Sequence, residues 1–185
     1  MPLKTLVRAG NITNLSDARY CAGMGVDWLG FVVIEGQERF IAVKEFQDIR
    51  GWVSGPKIIA QIYNIPSADA LTAILENYHP DMLELGMNDL NKFDSLPLPF
   101  ILSAPSPEAL TDLRGPKPDY LLVDTVGQHN NSVPLLVAVH SADDAEKVLR
   151  RDDVKGIALQ GGQEIRPGLK TYDELADILE MLEED

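Results

Sequence analysis

Eight short apolar runs, spaced along the chain by segments of helical pattern, limit what this sequence can fold into more than any other feature. They read "KTLVRA", "WLGFVVI", "KIIAQIYN", "DMLELG", "PFILSA", "YLLVDT", "LLVAV" and "GIALQ". Most are apolar throughout, the pattern of strands covered on both faces. Parallel strands need crossover connections, and helical patterns lie between several of the runs: "NLSDARYCAGMG", "AVKEFQDIRGWV", "SADALTAILENY" and "SADDAEKVLRR", with "TYDELADILEMLEE" closing the chain. Several of these segments begin at Ser or Asn with an acidic residue about three positions on, which is N-cap chemistry. The segments after the fourth and fifth runs are short, and "VGQHNNSVP" after the sixth has no room for a full helix. The expected class is therefore α/β: a compact (β/α)8 TIM barrel with short or missing helices after strands 4 to 6, and an open doubly wound sheet as the alternative. At 185 residues the chain is shorter than the roughly 250 residues usual for such barrels. Its loops should be minimal, and residues 1–185 should form a single TIM-barrel domain.

Charge narrows the choice of partners. The net charge of −13 opposes binding to nucleic acid or to an anionic membrane, and no basic patch reverses it locally. No apolar run approaches the roughly 20 residues of a membrane-spanning helix, and the N-terminus lacks a signal-peptide layout, so a cytoplasmic location is expected. The one cysteine, Cys21, excludes an internal disulfide and offers no zinc or redox spacing. It reads as a core residue of a helix. No metal site and no cofactor are expected.

Several motifs, in order along the chain, resemble the phosphoribosylanthranilate isomerase family. The opening "VRAGNITNLSDARYCAGMGVDWLGFVV" resembles that family's V-K-I-C-G-I-T-N start, its acidic, alanine-rich helix and its G-A-D-x-L-G-F-V-F strand. "QERFIAV", "IIAQIYNIPSADAL", "PDMLELG", "YLLVDT" and "GIALQGGQEIRPGLKTYDEL" resemble its later segments in the same order. The resemblance covers nearly the whole chain. It implies an Amadori rearrangement of a phosphoribosyl-aminobenzoate, which needs a general acid to open the sugar ring and a general base to take the neighbouring carbon-bound proton.

Carried across residue by residue, the resemblance makes Asp124 the general acid and places Arg39 where the family binds the anthranilate carboxylate. Arg8, Asn11, Glu84, His140, Gly161 and Gly162 fall at substrate-binding positions. Departures from the family pattern are as informative. Gly10 stands at the position of the catalytic cysteine, and glycine cannot accept a proton. Loss of a general base usually lowers a rate by about 10² to 10⁴. Glu84, His140 and His129 are the candidate replacements, whereas His79, before the fourth strand, belongs at the opposite face. The phosphate-binding turn after strand seven is replaced by "VHSADDA", where Asp143 and Asp144 oppose an anion. After strand eight, Gly161 and Gly162 remain as half of a cradle. Three functions stay open: an isomerase with another base, a non-catalytic binding or regulatory barrel, and an isomerase of altered specificity. A phosphorylated or aromatic-acid small molecule is the expected partner class, with the chain a monomer or homodimer.

Overall fold

The computed structural model describes residues 3–110, 115–127, 132–161, 163–166, 169–171 and 173–183. Eight parallel strands close into a barrel in sequence order. They are β1 (Leu6–Gly10), β2 (Trp28–Val32), β3 (Lys57–Gln61), β4 (Met82–Gly86), β5 (Phe100–Ala104), β6 (Tyr120–Val123), β7 (Leu135–Ala138) and β8 (Val154–Gln160). Closure comes from β8 against β1, with Leu6 opposite Gly156 and Gly10 opposite Gln160. The open-sheet alternative is excluded.

Helices α1 (Leu15–Gly23), α2 (Val43–Arg50) and α3 (Ala70–Tyr78) follow the first three strands. After β4 there is only the four-residue α4 (Met87–Leu90), and after β5 a 3₁₀ turn at Pro107–Leu110. Among the described residues no helix follows β6, while α5 (Ala142–Leu149) follows β7 and α6 (Asp173–Met181) closes the chain. Local chemistry starts two of these helices: the Asp17 N–H donates to Asn14 Oδ1 at 2.9 Å, and the Asp144 N–H to Ser141 Oγ at 3.2 Å. One feature has no apolar pattern to announce it. An antiparallel pair, β9 (Gln163–Arg166) and β10 (Leu169–Thr171), lies between β8 and α6. Its sequence is polar and short, and Pro167–Gly168 is the sole turn signal there.

Side-chain alternation along the strands separates two apolar regions. Val7, Ala9, Leu29, Phe31, Ile58, Ala60, Leu83 and Leu85 belong to the larger core, which also takes in helix residues such as Ala18, Phe46 and Ile74. Cys21 is buried in it, as the sequence suggests. A second cluster contains Trp28, Ile59, Met82, Ile101, Leu122, Leu136 and Ala158, with Leu6 and Tyr120 packed against it. These residues share the inward parity and fill the lower lumen. Each fully buried aliphatic or aromatic side chain contributes roughly 1.5–3 kcal/mol relative to exposure.

At the N-terminal end of the barrel, three aspartates stand just before even-numbered strands and bind the strand before. The Val7 N–H donates to Asp27 at 2.8 Å, Ile58 N–H to Asp81 at 2.7 Å and Phe100 N–H to Asp119 at 3.0 Å. In return the Asp27, Asp81 and Asp119 N–H groups donate to the carbonyls of Val7, Ile58 and Phe100. His79 caps α3 at this end with φ 43°, in the face the sequence assigned to it. Among the described residues no helix is long and apolar enough to cross a membrane.

Candidate functional site

Continuing the inward parity upward changes the chemistry of the lumen. Two residues beyond Leu6 comes Arg8, beyond Ile59 Gln61, beyond Met82 Glu84, beyond Ile101 Ser103, beyond Leu122 Asp124 and beyond Ala158 Gln160. All of these polar residues line one cavity of 310 Å³, together with Asn11, Tyr63 and His140. Its volume is at the small end of ligand pockets, which run from roughly 300 Å³ upward.

Glu84 is fully buried and Arg8 nearly so. Their side chains form a two-point ion pair: Arg8 Nε donates to Glu84 Oε2 at 2.8 Å, and a terminal guanidinium nitrogen donates to Oε1. Oε1 also accepts from Gln61 Nε2 at 3.0 Å and from the Tyr63 hydroxyl at 2.7 Å. The other terminal nitrogen of Arg8 donates to the Leu159 carbonyl at 3.3 Å. Burial, and then the neighbouring Glu84 carboxylate, push the Tyr63 phenol well above its usual range, so its O–H stays a donor. Ser103 lies beside the same phenol and partly offsets that rise. Gln61 turns its carbonyl oxygen the other way and accepts the Asn11 N–H at 2.8 Å. This fixes the loop after β1, where Asn11 adopts φ 56°, a left-handed conformation that asparagine tolerates better than most residues.

Gly10 is the position at which this network becomes specific. A Cβ on Gly10 would lie 2.0–2.3 Å from the Arg8 guanidinium atoms. The space a side chain would need there is filled by a cation that is itself locked by Glu84. Glycine at this point is thus matched to Arg8, two residues earlier in the same strand.

The other residues drawn from the sequence distribute unevenly. Asp124 and His140 both reach the cavity and are exposed, on the loops that follow β6 and β7. Arg39, in the β2–α2 connection with φ 64°, does not line it. Gly161 is buried after β8, and its N–H donates to the Gly10 carbonyl at 2.9 Å. That donor is already committed within the backbone. Gly162 and His129 lie outside the described residues. Asp143 and Asp144 are exposed in the first turn of α5. The Cys21 thiol, pushed up to about 12 by burial and then by Asp17, stays protonated at neutral pH and is no nucleophile. Among the described residues no group of three or more His, Cys, Asp or Glu could hold a metal ion. Gln61, Tyr63, Ser103 and Gln160 are cavity residues that the motifs did not single out. The available signal was parity along β3, β5 and β8.

Solved structures now place the architecture. The chain has the fold of the phosphoribosylanthranilate isomerases. Against the enzyme of Thermus thermophilus it superposes with a TM-score of 0.71 at 20% identity, covering 96% of this chain and 98% of that one. Against N-(5'-phosphoribosyl)anthranilate isomerase of Pyrococcus furiosus the TM-score is 0.73 at 13% identity, with the same coverage. A third isomerase structure, in complex with reduced 1-(o-carboxyphenylamino)-1-deoxyribulose 5-phosphate, gives 0.71 at 14% identity over 96% of this chain. No protein-family profile and no curated protein matches the sequence. At these identities the similarity concerns the fold, and the chemistry rests on the side chains at the mouth.

Proposed function

We propose that this chain is a phosphoribosylanthranilate isomerase-like barrel in which the Amadori rearrangement has been lost and the mouth retained as a small-molecule binding site. The observation that carries this is the Arg8 guanidinium occupying the space beside Gly10. The rearrangement needs a proton acceptor across the sugar from its acid. By the family resemblance, Asp124 supplies the acid and Gly10 marks where the acceptor would stand. An arginine there cannot serve, because guanidinium keeps its protons and has no acceptor atom.

Glu84 does not fill the gap. Its two oxygens take four hydrogen bonds from Arg8, Gln61 and Tyr63, so its lone pairs are already occupied by protein donors. His140 lies on the loop after β7, the strand paired with β6, and Asp124 on the loop after β6, so the two approach the cavity from the same side of the barrel. Arg39, which the resemblance assigns to the anthranilate carboxylate, stands outside the cavity.

Complementation provides the test. Expressed in a strain lacking the isomerase, the chain should not restore growth without tryptophan. Growth that depends on Asp124 would show that the rearrangement persists with another base.

A further inference from the structure

Resting on the binding-site function just proposed, we infer that the 310 Å³ cavity accepts an uncharged polyhydroxy compound small enough to fit it and discriminates against its phosphate monoester. Donors and acceptors at the mouth support this class. Arg8 is 4% exposed and has five N–H groups; three are directed to Glu84 and the Leu159 carbonyl. One N–H on each terminal nitrogen therefore has no protein acceptor among the described residues, on a side chain that lines the cavity. A buried donor left in this way calls for an acceptor atom from a ligand or water.

The formal charges decide which acceptor. Glu84 neutralises Arg8 at bonding distance, so the guanidinium presents N–H groups with little net field beyond them. Asp124 then remains as a carboxylate on the cavity wall. It suits a ligand hydroxyl that donates, and it repels an anion. Hydroxyl groups both accept and donate, which matches Arg8 at the base and Asp124, Asn11 and Gln160 above it.

Features that could hold a phosphate point the same way. The Gly161 N–H is spent on the Gly10 carbonyl, and the first turn of α5 carries Asp143 and Asp144. Within the cavity itself a dianion would meet the Asp124 carboxylate.

A matched pair of probes, D-ribose and D-ribose 5-phosphate, tests this by calorimetry together with backbone amide shifts of the isotopically labelled chain. Ribose should shift the Asn11, Ser103 and Asp124 amides. Ribose 5-phosphate should bind at least roughly tenfold more weakly at low salt, the gap narrowing as salt rises. In Asp124→Asn, which keeps an acceptor and loses the charge, the preference for ribose should shrink. Tighter binding of ribose 5-phosphate to the parent chain would overturn the inference, as would the absence of shifts at these amides with ribose in the tens of millimolar. Neither result bears on isomerase turnover, which the complementation test reads separately.

Discussion

The two ends of the barrel use carboxylates in opposite ways, half-buried or exposed at one and fully buried at the other. At the N-terminal end, Asp27, Asp81 and Asp119 accept backbone N–H groups from the neighbouring strand and fix how strands meet. At the C-terminal end, Glu84 accepts side-chain donors from β1, β3 and the loop just after β3, and holds a guanidinium across the lumen. The first arrangement makes register. The second fills a space in which barrels of this kind conduct chemistry. Identical carboxylate chemistry thus serves the scaffold at one end and determines the site at the other, according to whether its partners are backbone or side chain.

Removing one member of the Arg8–Glu84 pair is expected to have the largest effect. Glu84→Ala should destabilise the chain by about 3–5 kcal/mol in urea unfolding, because it leaves a buried guanidinium uncompensated. Replacing both residues with methionine should cost much less than either single change, since buried ion pairs are often matched by well-packed apolar residues. Additive losses would mean the two side chains act independently.

Next in size is Gly10→Cys. Restoring the thiol does not restore a base in this lumen, because the new side chain collides with the Arg8 guanidinium. A loss of about 1–3 kcal/mol is expected from overpacking, with no gain in isomerase turnover. A stable, active Gly10→Cys protein would show that Arg8 moves aside freely.

At the opposite end, Asp81→Ala should lower stability by about 1 kcal/mol by stranding the Ile58 N–H. Cavity ligand binding should be unchanged, which separates register from site.

The smallest effect concerns pH. Burial holds the Asp27 carboxyl above the ordinary aspartate range despite the N–H it accepts from Val7. Between the ordinary value and the raised one, the folded chain binds more protons than the unfolded chain, so stability falls as pH rises through that window. Asp27→Asn should remove this decline while keeping an acceptor for Val7. Urea midpoints of the two proteins across the acidic range give the comparison; parallel curves would show that Asp27 titrates normally.

Much of this was legible before the structure. Eight apolar runs and their crossovers pointed to the barrel with an open sheet as the alternative, and the short segments after the fourth and fifth runs anticipated the thin covering after β4 and β5. The mouth was only partly legible. Arg8, Asn11, Glu84, Asp124 and His140 were all drawn from motif positions and all line the cavity, whereas Arg39 does not. Partnership across the lumen was hidden, because Arg8 and Glu84 are 76 residues apart and no local pattern ties them. Nor could a motif show that glycine at position 10 accommodates Arg8, since that depends on a side chain folding back over its own strand. The β9–β10 pair escaped because its polar residues carry no periodic apolar signal.

Steady-state turnover of N-(5'-phosphoribosyl)anthranilate by the purified chain tests the central claim most directly. With Arg8 beside Gly10 and Glu84 saturated by donors, the rate should equal that of buffer alone, and Asp124→Asn should leave it unchanged. Turnover well above buffer that collapses in Asp124→Asn would contradict the account, for it would mean that an acid and a base already face each other across this mouth.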